Sequence, residues 1–149
     1  MDLSIDWSVI ARTLGQLVIA YLLTLPIAWE REKNARSAGL RTFPLVAVAS
    51  CGYMIFSVDL FAGDADAQAR LVQGLMTGIG FIGGGAILKT GGSVHGTATA
   101  ASIWNTGAIG TAVAYGRYEI AVILSLVNFL TLKWLTPLKV EHEGDRGGD

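Results

Sequence analysis

The chain has 149 residues, a net charge of −1, 52% hydrophobic and only 15% charged residues, and a mean hydropathy of +0.49. Soluble domains average about 25% charged residues, so this composition excludes an ordinary soluble domain, and the near-neutral charge excludes an electrostatic nucleic-acid binder. The single cysteine, Cys51, lies in an apolar run, forms no internal disulfide and reads as a small buried residue.

Crossing about 30 Å of hydrocarbon takes about 20 mostly apolar residues in a helix, and five segments meet that requirement. The first, residues 7–29 (WSVIARTLGQLVIAYLLTLPIAW), follows an acidic leader, MDLSID, and lacks a small-residue cleavage site. It therefore reads as a span and not as a signal peptide. The connection after it carries Arg31, Lys33, Arg36 and Arg41 beside Glu30. The second span covers residues 43–62, and Asp59, Asp64 and Asp66 mark a solvated acidic loop at its far end.

The third span, residues 71–88 (LVQGLMTGIGFIGGGAIL), contains Gly78-Ile-Gly80-Phe-Ile-Gly83, the G-x-G-x-x-G spacing of dinucleotide sites. That fingerprint needs a parallel strand before it and an acidic residue about 20 positions later. Gln73, Gly74 and Thr77 spoil the strand, and residues 97–116 contain no Asp or Glu. The glycines read instead as packing surface. Gly74/Gly78 and Gly80/Gly84 are G-x-x-x-G pairs that let helices approach closely, and Gly83 and Gly85 extend the same small-sided segment.

The fourth span, residues 96–116, is uncharged and rich in Gly and Ala, so spans three and four are expected to form a tight central pair joined by the loop KTGGSVHG. The fifth, residues 118–136, ends with Lys133 placed to reach the headgroup region. Residues 137–149 form a short polar tail.

Eight of the eleven basic residues fall on one side of these spans. The positive-inside rule then places the N-terminus outside and the C-terminus in the cytoplasm. The predicted fold is all-α and membrane-integral, with five transmembrane helices in a domain over residues 1–136 and a cytoplasmic tail over 137–149. No Asp, Glu, Lys or Arg lies near the centre of any span, which argues against an ion-coupled pump.

The polar residues inside the spans include Thr99, Asn105 and Asn128. An amide facing lipid lacks partners, so Asn105 and Asn128, at similar depth, are expected to bond each other or to share Thr24 or Thr77. On the cytoplasmic face, Glu30, Arg31, Arg36, Arg41 and Thr42 form a candidate anion or partner site. Glu30 and Arg41 are placed to pair across the loop, and the basic residues suit anionic lipid headgroups. His95 has no second ligand at useful spacing, and neither a metal site nor a cofactor is expected.

Three blocks in order, AWEREKNARSAGLRTFPLVAVAS, TGIGFIGGGAILK and GTATAASIWNTGAIGTAVAYG, resemble the membrane domain of the MgtC/SapB family over about residues 20–120. The chain reads Gly96-Thr97-Ala98-Thr99 where that family has G-L-T-T, and Phe43 where histidine is common. It resembles a short form without the soluble C-terminal domain of longer members. The resemblance implies a non-enzymatic, multi-pass protein of the bacterial inner membrane, accessory or regulatory in magnesium homeostasis. Its implied partners are membrane lipids, a second copy of the chain, and a membrane protein such as the ATP synthase that some members restrain; nucleic acid is not among them. A channel or carrier for Mg²⁺ or another small solute is the alternative.

Overall fold

A long apolar segment satisfies its backbone within itself only as a helix, and five helices form: α1 (Trp7–Asn34), α2 (Thr42–Leu60), α3 (Ala65–Gly85), α4 (Thr97–Ala114) and α5 (Tyr118–Gly144). The computed structural model describes residues 6–34, 38–90 and 93–144, with side chains for all of these except 34, 90 and 136–144. Arg36 and the end of the polar tail lie outside the described residues. Three stretches, Trp7–Lys33, Thr42–Leu60 and Tyr118–Leu135, are long and apolar enough to cross a membrane.

Local chemistry sets several helix ends. The Asp6 carboxylate accepts from the Ser8 amide at 2.9 Å, the Ser8 hydroxyl at 2.7 Å and the Val9 amide at 3.3 Å. These bonds, the Ser8 hydroxyl foremost, hold its carboxyl below the ordinary carboxylate range. Asp64 caps α3 in the same way through the Ala67 amide at 2.9 Å. Pro26, inside α1, withholds the N–H that the Leu22 carbonyl would accept. One residue along, the Leu23 carbonyl takes the Ser125 hydroxyl of α5 at 2.5 Å.

The connection read as a loop between spans three and four contains a short antiparallel hairpin, β1 (Leu88–Thr90) and β2 (Ser93–His95), pairing Leu88 with His95 and Thr90 with Ser93. Its sequence signal is Gly91-Gly92, a two-residue connection of the type that hairpin turns favour.

At the centre of the bundle stands α4, which touches all four other helices. It runs antiparallel to α1: Gln16 donates to the Val113 and Ala114 carbonyls at 3.2 and 3.1 Å, and at the other end Arg31 reaches Thr99. It is also antiparallel to α5, as the bonds from Ser102 to Asn128 and from Asn105 to the Leu124 carbonyl show.

The expected central pair of spans three and four is corrected. The closest approach is between α4 and α2, where Gly110 lies against the Ala47 carbonyl and Ser50, and Gly107 lies beside Ser50 and Ile79. Of the six glycines expected to pack, only Gly83 meets a neighbour, the Ala100 backbone, while Gly74, Gly78, Gly80, Gly84 and Gly85 face open space. The contact face of α3 is set by Ile79, which is 6% exposed and points at Gly107, and by Gly83 one turn later. The other glycines fall off that face. Gly74 and Gly78 instead line an open groove of about 440 Å³ beside Val46, Tyr53 and Ile82.

Candidate functional site

The last turns of α1, the C-terminal end of α3 and the first turn of α4 meet at one end of the bundle. Arg31 is carried there by α1 and is only 8% exposed. Its Nη2 donates to the Thr99 hydroxyl of α4 at 2.5 Å, and Thr99 is fully buried. The Arg31 Nε is buried and has no hydrogen-bond partner. Among the described residues Arg31 is the only buried charged side chain, and no carboxylate forms an ion pair with it.

The first turn of α4 is held in place from two sides. Gly96, its N-cap, has a φ of +88° and no side chain to cap the helix. A Cβ there would stand 1.9 Å from the Ala86 carbonyl oxygen. On the other side Gly83 of α3 packs against the Ala100 carbonyl, at 3.2 Å from the position of a Cβ. Three elements thus press a guanidinium against a helix N-terminus, which carries about half a positive charge of its own. That arrangement attracts negative charge and repels cations.

The other residues of the candidate face are dispersed. Arg41 is exposed and makes no ion pair with Glu30, so the expected pairing across the loop does not form. Glu32 fastens the connection instead, its carboxylate accepting the Leu40 amide at 3.0 Å. Glu30 and Thr42 are half-buried, and the Thr42 amide donates to the Gly39 carbonyl at 3.0 Å. Sequence reasoning named Arg31 and Thr99 but placed one on the solvated face and the other within a span. It missed Glu32 and Gly96; a glycine directly before a helix was the available signal for the latter.

Within the bundle both asparagines turn inward, as expected, but they do not bond each other or share Thr24 or Thr77. Asn128 accepts the Ser102 hydroxyl at 2.9 Å, and Asn105 donates to the Leu124 carbonyl at 3.2 Å. The register pairs 102 with 128 and 105 with 124, so the two amides sit about one helical turn, roughly 5 Å, apart in height. Thr24 bonds within its own helix to the Tyr21 carbonyl at 2.9 Å, and Thr77 likewise to the Gln73 carbonyl at 2.9 Å. Asn128→Leu, which strips Ser102 of its acceptor, lowers stability by about 0.6–1.7 kcal/mol, the range of interhelical bonds in membranes. Thermal unfolding in detergent reads this out, and an unchanged melting temperature would show the bond to be idle.

The MgtC family profile matches residues 17–140. Protein MgtC of Brucella abortus (strain 2308) is 36% identical over 132 residues, covering 89% of this chain and 55% of that protein. YhiD of Escherichia coli (strain K12), whose name describes a candidate magnesium transporter, is 35% identical over 124 residues, covering 79% of this chain and 58% of that protein. SrpB of Synechococcus elongatus is 36% identical over 130 residues, covering 78% of this chain and 71% of that protein. The chain spans somewhat over half the length of the Brucella and Escherichia proteins. No solved structure matches it. With three helices able to cross a bilayer and a family match over most of its length, the chain is a membrane protein and belongs to the MgtC family.

Proposed function

We propose that this chain is a non-enzymatic, multi-pass protein of the bacterial inner membrane that serves magnesium homeostasis as an accessory or regulatory factor. The observation that carries the choice over a Mg²⁺ conductor is the charge buried at the Arg31 end of the bundle. The one buried charged side chain among the described residues is Arg31, and a fixed cation at the mouth of a bundle disfavours entry of a divalent one. The polar groups of the spans support the same reading. Gln16, Ser102, Asn105, Ser125 and Asn128 are used in bonds that tie helix to helix. The magnesium link comes from family membership and from the name of the related YhiD.

All five helices are proposed to cross the membrane together, with the N-terminus outside and the Arg31 end in the cytoplasm. The bonds of α4 to Gln16 and to Arg31 keep it level with fifteen residues of α1, about 22 Å at the helical rise. The proposed partner is a membrane protein such as ATP synthase, reached through the apolar outer faces of the helices.

The test is Mg²⁺ uptake into liposomes holding the purified full chain, alongside growth in low magnesium of a bacterial host deleted for its own family member. Expected are restored growth and no uptake above empty liposomes. Saturable Mg²⁺ uptake would overturn the accessory reading in favour of a channel or carrier. Failure to restore growth would remove the magnesium role.

A further inference from the structure

We infer that the Arg31 end of the bundle is an oxyanion site, built to take a phosphate or phosphomonoester group at the free edge of the Arg31 guanidinium, beside the first turn of α4. Arg31 is more than nine-tenths buried and directed at that turn, where its hydrogen bond is to a neutral hydroxyl, with the neighbouring Glu30 acting on it only through space. Its Nη2 is spent on the Thr99 hydroxyl, and its buried Nε has no acceptor. A buried N–H left without an acceptor costs the full desolvation of that group, so the geometry points to a missing acceptor at Nε.

The helix end beside it offers further donors. Gly96 offers no side-chain cap to α4, so the N–H of Ala98 or Thr99 lacks the acceptor that Ser, Thr, Asp or Asn would supply. An anion at a helix N-terminus meets both those donors and the positive end of the dipole. Phosphate fits the combined donor set better than a carboxylate does. A guanidinium binds through two parallel N–H donors, and a tetrahedral oxyanion still has oxygens left for the helix amides.

The close approach of Gly96 to the Ala86 carbonyl, and of Gly83 to Ala100, fixes these donors before any ligand arrives. Hydrogen bonds that need no reorganisation are the ones that yield affinity. The phosphate group is supplied either by a soluble ion or metabolite, or by a lipid headgroup at the membrane surface. The site would bind it whether or not the chain serves magnesium homeostasis.

The experiment is thermal unfolding of the purified full chain in a neutral detergent, titrated with potassium phosphate against potassium chloride of equal ionic strength. In parallel it is titrated with phosphatidic acid against phosphatidylcholine. A saturable rise in melting temperature with phosphate or with phosphatidic acid is expected. Phosphate alone acting identifies a soluble ligand, and phosphatidic acid alone acting identifies a lipid headgroup. Arg31→Met abolishes the rise, whereas Arg70→Gln, which removes an exposed charge elsewhere, leaves it intact. Should Arg31→Met not survive purification, Arg31→Lys keeps the charge but loses the fork, and binds about tenfold or more weakly. No rise with either ligand, or an equal rise in the Arg31 variants, overturns the site.

Discussion

Gly110→Ala destabilises the purified protein by about 1–3 kcal/mol, the usual penalty for forcing one extra group into a filled interior. A Cβ at this position would lie 2.2 Å from the Ala47 carbonyl oxygen and 3.0 Å from the Ser50 Cβ. Neither can swing aside as the tip of a long side chain could, because one is backbone and the other is fixed to it. Relief requires α2 and α4 to separate, which loosens the buried layer of Ala47, Cys51, Ile109 and Val113. Gly84→Leu is the comparison. On sequence it would hinder folding, but Gly84 faces open space within the chain, and its effect stays within about 0.5 kcal/mol, as for exposed substitutions generally. Thermal unfolding of both variants in detergent decides the matter. Wild-type stability in Gly110→Ala, or collapse of Gly84→Leu, would refute the placement of the central contact between α2 and α4.

Gly96→Ala lowers stability by about 3 kcal/mol through two penalties at one residue. Its φ of +88° is left-handed, which costs an L-residue about 1–2 kcal/mol. Its Cβ would also meet the Ala86 carbonyl oxygen at 1.9 Å and the carbonyl carbon at 3.0 Å, adding overpacking of about 1–3 kcal/mol. Gly116 separates the two effects. It has a φ of +68° with nothing within 4 Å, so Gly116→Ala bears the conformational penalty alone and loses only about 1–2 kcal/mol. Equal melting temperatures for the two variants would show that the approach to Ala86 does not matter. Because Gly96 sets the position of the first turn of α4, its alanine variant also weakens the response to phosphate or phosphatidic acid.

The consequences for function follow from where α4 stands. That helix touches all four others, so its first turn belongs to the one element that every other helix shares. The anion proposed beside Arg31 and Thr99 would therefore sit on the element that the other helices share.

The sequence by itself determined the helices and the family. Apolar runs of about twenty residues permit only a helix in lipid, so α1, α2 and α5 could be read from hydropathy, and the three motif blocks pointed to the family that the profile match confirms. It also determined that Asn105 and Asn128 would turn inward, since an amide in hydrocarbon needs a partner. Tertiary structure alone decided which partner each found, because the register between α4 and α5 is set by packing along their whole length. It decided which glycines pack as well. Composition counts small residues, but only the rotation of a helix says which of them face a neighbour, and that rotation left Gly74, Gly78, Gly80, Gly84 and Gly85 outward while α4 presents Gly107 and Gly110 to α2 and α3. Arg31 was legible as a basic residue near a span end. Its burial against Thr99 was not, because the two are 68 positions apart and meet only when α1 and α4 run antiparallel side by side.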